Sequence, residues 1–237
     1  MFYDYTYLLL VLPAVLFSLI ASAKVQSAFK KYSQQPSARG ITGREAAERV
    51  LRANGVMGVR IERVSGNLTD HFDPKTNVIR LSDGVYDSTS TAAIGVAAHE
   101  AGHAVQHEQE YQPAKLRMAI VPVTNIGSKL AMPLILLGIV LSVVSNSTNL
   151  LVISYIGIAC FSLCALFQLI TLPTEFDASR RAMQALETGG ILYDEELKGA
   201  RKMLSAAALT YVAALAVTLM QLLRLLIIVN RYNSRRN

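Results

Sequence analysis

Long parts of this 237-residue chain lack charge. No Asp, Glu, Lys or Arg occurs between Leu130 and Thr174, and none between Met203 and Leu223. Only 17% of the residues are charged and 52% are hydrophobic, with a positive mean hydropathy. That balance excludes an ordinary soluble domain. A helix needs about 20 mostly apolar residues to cross a hydrocarbon core. The second gap therefore predicts one crossing. The first is long enough for two, broken at the polar cluster Ser145-Asn146-Ser147-Thr148-Asn149, which suits a short turn. With Tyr7 to Ala23 at the start, the chain is expected to carry about four transmembrane helices.

Other absences narrow the reading. Ala21-Ser22-Ala23 has the small-x-small form of a signal cleavage site, but the preceding MFYDYTY contains no Lys or Arg and carries Asp4, so the first helix reads as an uncleaved anchor. Cysteine is nearly missing. Cys160 and Cys164 lie inside the charge-free run, do not form C-x-x-C, and read as small packing residues. There is no internal repeat and no low-complexity tract. Basic residues are unevenly spread: fourteen Lys or Arg between Lys24 and Lys129, five between Glu175 and Lys202, and none in the N-terminal segment or the Ser145 to Asn149 turn. The positive-inside bias places the two basic regions in the cytoplasm. The net charge of +6 is then accounted for by this bias and by contact with membrane lipid, without nucleic acid. The tail RYNSRRN runs against the bias if the last apolar helix spans fully.

Histidine is also scarce, and three of the four histidines fall within AAHEAGHAVQHEQ, residues 97–109. His99 and His103 are four apart, which on a helix stacks both imidazoles on one face within reach of one ion. Glu100 follows the first histidine directly. This is the H-E-x-x-H pattern of zinc hydrolases, in which the glutamate takes a proton from metal-bound water. The run from Thr91 to Val105 is Ala-rich and free of Pro, with potential caps at Asp87, Ser88 and Ser90, and predicts a buried helix. Burying two imidazoles and a carboxylate there is costly without a partner, and a metal supplies one. His107 lies about 12 Å along the axis from His99 and cannot share its ion; it reads as a helix-surface residue.

Between the anchor and this helix, Ser33 to Gly43 has linker composition. Thr42 and Glu45 form a capping-box signature for the helix REAAERVLRAN, closed by Gly55. Two strand-like pieces follow, VRIERV and NVIRLS, the second entered through the turn Asp73-Pro74-Lys75-Thr76-Asn77. The order of helix, small strand region and H-E-x-x-H helix is that of zincin-type proteases. NVIRLS reads as either an edge strand that pairs with a substrate backbone or a core strand. His71 falls in a polar turn and reads as structural. Tyr211, in an apolar helix, reads as a packing residue or as a hydrogen-bond donor to a tetrahedral intermediate.

The segments LTDHFDP, NVIRLSDGVYD, AAIGVAAHEAGHAVQH and LPTEFDASRRAMQAL, with four membrane helices around them, resemble the bacterial membrane zinc metallopeptidases of the YugP-like family over nearly the whole chain. The chain is more distantly similar to the integral-membrane gluzincins of the HtpX and CAAX-prenyl-protease group, whose second motif is E-x-x-A-D. Here that motif reads Glu175-Phe176-Asp177-Ala178-Ser179, so Ser179 stands where the group has its closing Asp, and that residue's role does not carry over to this position. The resemblance implies a peptidase of the bacterial plasma membrane and names no substrate. A third zinc ligand is expected on the return from the membrane hairpin, where Pro173 ends the apolar run and a charged helix begins. The first carboxylate met there is Glu175, which the resemblance also favours. Asp177 lies a rotation of about 200° away on a helix and cannot share the ion with it, while Glu108 and Glu110 lie too far along the His99 helix.

The expected fold is a mainly α membrane protein with a small α+β zincin-like cytoplasmic metallopeptidase domain. Its parts are 1–23 (anchor), 24–117 (zincin-like subdomain), 118–172 (membrane hairpin), 173–203 (cytoplasmic helical segment) and 204–237 (last membrane helix and tail). The expected function is a membrane-embedded zinc endopeptidase acting on peptide or protein substrates, with one Zn2+ on His99, His103 and Glu175 and with Glu100 as general base. Its rivals are an adaptor with a structural metal site and an intramembrane site-2-type protease. The second is weakened because the flanks of His99 are polar and the membrane helices contain no N-x-x-P or L-D-G element.

Overall fold

The computed structural model describes residues 5–234. Among the described residues four helices are long and apolar enough to cross a membrane: Tyr7–Tyr32, Gln112–Val144, Thr148–Thr188 and Asp194–Ser234. The first opens with a π-helical stretch, Tyr7–Val11, and continues as α1, Leu12–Tyr32. Between it and the second come α2 (Gly43–Ala53), strands β1 (Arg60–Val64), β2 (His71–Asp73) and β3 (Val78–Ser82), the single turn α3 (Asp83–Tyr86) and α4 (Thr91–Glu108). The other three long helices are α5 (Gln112–Val144), α6 (Leu151–Thr188) and α7 (Asp194–Ser234). The chain divides into two compact units: Met1–Ile20, Leu116–Thr171 and Tyr211–Asn237 form one, and Ala21–Lys115 with Leu172–Thr210 the other.

In the first unit the α5–α6 hairpin is built on glycine. A Cβ on Gly138 would meet the Ser154 backbone nitrogen at 2.5 Å, and one on Gly157 would meet the Ala131 carbonyl oxygen at 2.7 Å. Small residues at such crossings let helix backbones approach where no hydrophobic effect drives association in lipid. The Ser154 hydroxyl donates to the Ile135 carbonyl (2.8 Å). Asn230 accepts a hydrogen bond from Tyr155, near the start of α6 (2.6 Å), and the Arg224 guanidinium lies 5.4 Å from the ring centre of Tyr7. The last turns of α7 are therefore level with the first turns of the N-terminal helix and of α6, so α7 runs the length of the unit.

The second unit contains the sheet. Its order is β1-β3-β2, with β1 parallel and β2 antiparallel to β3. β3, the NVIRLS segment, is the central strand, and Val78, Ile79 and Leu81 are fully buried. The core-strand alternative holds, and the edge-strand alternative does not, because β2 pairs with the side of β3 left open by β1. His71 lies in that short edge strand rather than in a turn. The α2 capping box forms as expected, with Thr42 and Glu45 bonding each other's backbone N–H groups. Ser90 is the residue that caps α4, accepting from the Ala93 N–H (3.2 Å).

Two expectations need correction. Ser33 to Gly43 is not a free linker: the Ser37 N–H donates to the Thr89 carbonyl (2.9 Å) and Gln35 accepts from the Thr91 N–H (2.8 Å), which pins the segment to the start of α4. Nor does Pro173 begin a new helix. It lies inside α6, which continues through it to Thr188. A proline removes one hydrogen bond and kinks a helix, but the helix goes on where packing on both sides of the break holds it. Here Thr174, Glu175, Ala178 and Ala182 just beyond the proline are all buried.

Candidate metal centre

Helix α4 is built for close approach. Ala97, Ala98 and Ala101 have no exposed surface. A Cβ on Gly102 would lie 2.6 Å from the Ala178 carbonyl oxygen, so only glycine lets α4 touch the α6 backbone at this height. That contact sets the distance from the two histidines to the charged end of α6. Glu175 Oε2 lies 3.3 Å from His99 Nε2 and 3.4 Å from His103 Nε2. The imidazole centroids are 4.7 Å apart with the rings nearly perpendicular, at 82°. One donor atom from each of the three residues lies within 4.8 Å of the others.

The back of each ring is held by oxygen. Ser179 Oγ lies 3.1 Å from His99 Nδ1, and Gln106 Oε1 lies 3.0 Å from His103 Nδ1. The Gln106 amide orientation is determined from its other side. Its Nε2 donates to the Thr174 carbonyl (2.8 Å) and to Asp177 Oδ2 (2.9 Å), both of which only accept. With its nitrogen so engaged, the amide turns its oxygen to His103, and Nδ1 must carry the proton. The Nε2 lone pair is thereby left for an ion, and a hydrogen bond to the other ring nitrogen is how metal-binding histidines are commonly oriented.

The donor set fits zinc. Two nitrogens and a carboxylate oxygen are ordinary zinc ligands, with bonds of about 2.0–2.2 Å. Tetrahedral bonds of that length separate neighbouring ligand atoms by roughly 3.3–3.6 Å, and both histidine–glutamate separations match. Among the described residues no fourth His, Cys, Asp or Glu joins the group.

Glu100 is buried beside this set, and its Oε2 accepts the Phe72 N–H at 3.0 Å. That donor comes from β2, on the edge facing away from β3. Burial pushes the His103 pKa down, but the hydrogen bond to Glu175 and the negative charge of Glu100 raise it on balance above the ordinary value.

Other candidate residues lie apart from the donor set. The His107 ring lies 5.8 Å from that of Phe72 and does not belong to the set. Asp177 is bonded to Gln106, Arg180 and Arg181. Glu110 pairs with Lys115 (3.0 Å). Cys160 and Cys164 are free thiols of the first unit, and Tyr211, on the α7 part of that unit, is half-buried. Sequence reasoning missed Gln106, Gly102 and the contact of Ser179. The first had a signal: Gln106 stands three residues after His103, a same-face neighbour on a helix.

Comparison with known proteins matches residues 7–230 to the family described as "putative neutral zinc metallopeptidase". The chain belongs to that family. It is also 46% identical over 222 residues, covering 94% of this chain and 96% of the relative, to the protein of Bacillus subtilis (strain 168) named "putative membrane protease YugP". No solved structure matches it.

Proposed function

We propose that this protein is a membrane-embedded zinc endopeptidase that hydrolyses peptide bonds with Glu100 as general base. The observation that carries the reading is the convergence of His99 Nε2, His103 Nε2 and Glu175 Oε2, with an acidic side chain from the same helix beside them. Zinc bound by these three residues supplies Lewis-acid polarisation of the scissile carbonyl and lowers the pKa of a water. Glu100 accepts the proton of the attacking water and returns it to the leaving amine. The Phe72 N–H holds the Glu100 carboxylate in place between these transfers. Gln106 keeps His103 in the tautomer that ligation needs, and the Ser179 hydroxyl holds the His99 ring from behind.

In this reading residues 24–117 and 173–203 form the cytoplasmic metallopeptidase part, and the basic bias of those regions supports the cytoplasmic side of a bacterial plasma membrane. The substrate is a peptide or protein, for which a membrane-associated one suits an enzyme so anchored. The adaptor alternative requires a closed structural site with four protein ligands, and among the described residues three converge.

The test uses the full chain purified in detergent with an unbiased peptide library. Glu100→Gln should keep close to one zinc per chain while cleavage falls by about 10²–10⁴-fold, the usual contribution of general acid–base catalysis. Cleavage at the wild-type rate by this variant overturns the mechanism.

A further inference from the structure

Away from the metal centre, the end of α1 and the start of α7 enclose a cleft of about 500 Å³. Its lining includes Lys31, Lys198 and Lys202, the single carboxylate of Glu195, and the amides of Gln34 and Gln35. Glu195 is already neutralised by Lys198, whose Nζ lies 2.7 Å away. Lys202 also lies near enough to Glu195 to help lower its pKa, and Lys31 Nζ sits 5.5 Å from the centre of the Tyr32 ring, but three lysines against one carboxylate leave the lining with a net charge of +2. Its floor is closely packed: a Cβ on Gly199 would lie 2.8 Å from the Tyr32 ring and 3.0 Å from Gln35 Oε1. The two helices therefore touch there and hold the lysines around a preformed hollow.

The place of the cleft in the chain indicates its occupant. Lys202 is the last residue before the charge-free run Met203 to Leu223, and Lys31 ends a helix whose own charge-free run stops at Ala23. Both walls are thus continuations of membrane-length helices: Lys202 directly adjoins its apolar run and Lys31 stands eight residues, about 12 Å along the axis, beyond Ala23, so the cleft lies on the polar side of both runs. Basic pockets at this level bind acidic headgroups. The volume exceeds that of a lone phosphate ion, and the glutamine amides offer both donors and acceptors to headgroup hydroxyls.

We propose that this cleft binds the phosphodiester headgroup of an anionic phospholipid through Lys31 and Lys202, with Lys198 beside them. The full chain, delipidated in neutral detergent, is titrated with phosphatidylglycerol, phosphatidylcholine or inorganic phosphate, and bound species are counted by native mass spectrometry. Phosphatidylglycerol should bind saturably, and the Lys31→Gln/Lys202→Gln variant should bind it about 25-fold more weakly, at about fivefold per lysine. A Lys75→Gln/Arg60→Gln variant, with the same net charge, should bind as wild type. Equal binding of phosphatidylcholine, or an unchanged affinity in the Lys31/Lys202 variant, overturns the site. Saturable, lysine-dependent binding of inorganic phosphate that displaces the lipid overturns the lipid as its source.

Discussion

At the residue scale, two side chains on one turn of α6 are given different tasks. Glu175 points its Oε2 at both imidazoles, whereas Asp177 faces Gln106 and two arginines. Glu175→Gln removes an anionic donor and should reduce zinc content sharply. Asp177→Asn should retain zinc, because it alters only the partner of an orienting residue. Gln106→Leu should fall between them, weakening zinc binding about 10–100-fold, the usual effect of losing an outer-shell partner. Metal analysis after dialysis against graded chelator ranks the three; full zinc in the Glu175 variant with loss in the Asp177 variant would refute the ligand assignment. Gly102 acts differently, through distance. The Ala178 carbonyl oxygen is backbone and cannot swing away, so Gly102→Ala must part the two helices. A cost of about 1–3 kcal/mol is expected from overpacking, together with weaker zinc binding although no ligand is changed. Thermal unfolding and zinc titration of the same sample would reveal both effects.

At the element scale, the β2–β3 hairpin carries the donor that holds Glu100, and Asp73 organises its turn. Its carboxylate accepts from the Thr76 hydroxyl (2.7 Å) and the Lys75 N–H (3.0 Å) and pairs with Arg80 (3.3 Å). The Thr76 hydroxyl first, then the Lys75 N–H and Arg80, lower its pKa to about 2. A carboxylate with a depressed folded-state pKa contributes stability that is complete above its ordinary value of about 3.9 and is lost as pH falls through the folded value. Asp73→Asn should therefore lower stability at neutral pH and flatten its fall between about pH 4 and pH 2. Denaturant unfolding at several acid pH values measures this, and an unchanged slope would contradict it. The same hairpin explains why the substrate-pairing expectation for NVIRLS failed. Whether a strand is an edge depends on what pairs with each side, and the partner β2 is only three residues long, too short to stand out by alternation.

At the scale of the whole molecule, the prediction concerns sidedness. In a background lacking Cys160 and Cys164, a cysteine at Ser145 should react with an impermeant thiol reagent added from outside, and one at exposed Ser65 should not. Because the end of α7 lies level with the starts of α6 and of the N-terminal helix, a cysteine at Ser234 should label with Ser145 and against the basic bias of its own tail. Labelling of Ser65 but not Ser145 would invert the topology, and labelling of Ser234 with Ser65 would contradict the course of α7.

The sequence by itself determined what depends on neighbours along the chain. Charge-free runs mark the membrane-length helices because each such residue must satisfy an apolar surround on its own account. The Thr42–Glu45 box and the four-residue spacing of His99 and His103 are likewise local, fixed by helix geometry within one or two turns. The tertiary structure decided what depends on which backbones meet. Gln106 orients His103 only because Thr174 and Asp177, about seventy residues away in sequence, receive its amide nitrogen. Ser179 reaches His99 only because Gly102 admits the α6 backbone, and α6 passes Pro173 unbroken because its far side is buried. A motif names the atoms that can bind an ion, but the separation that lets three of them bind it together is a property of helix packing, which no single helix encodes.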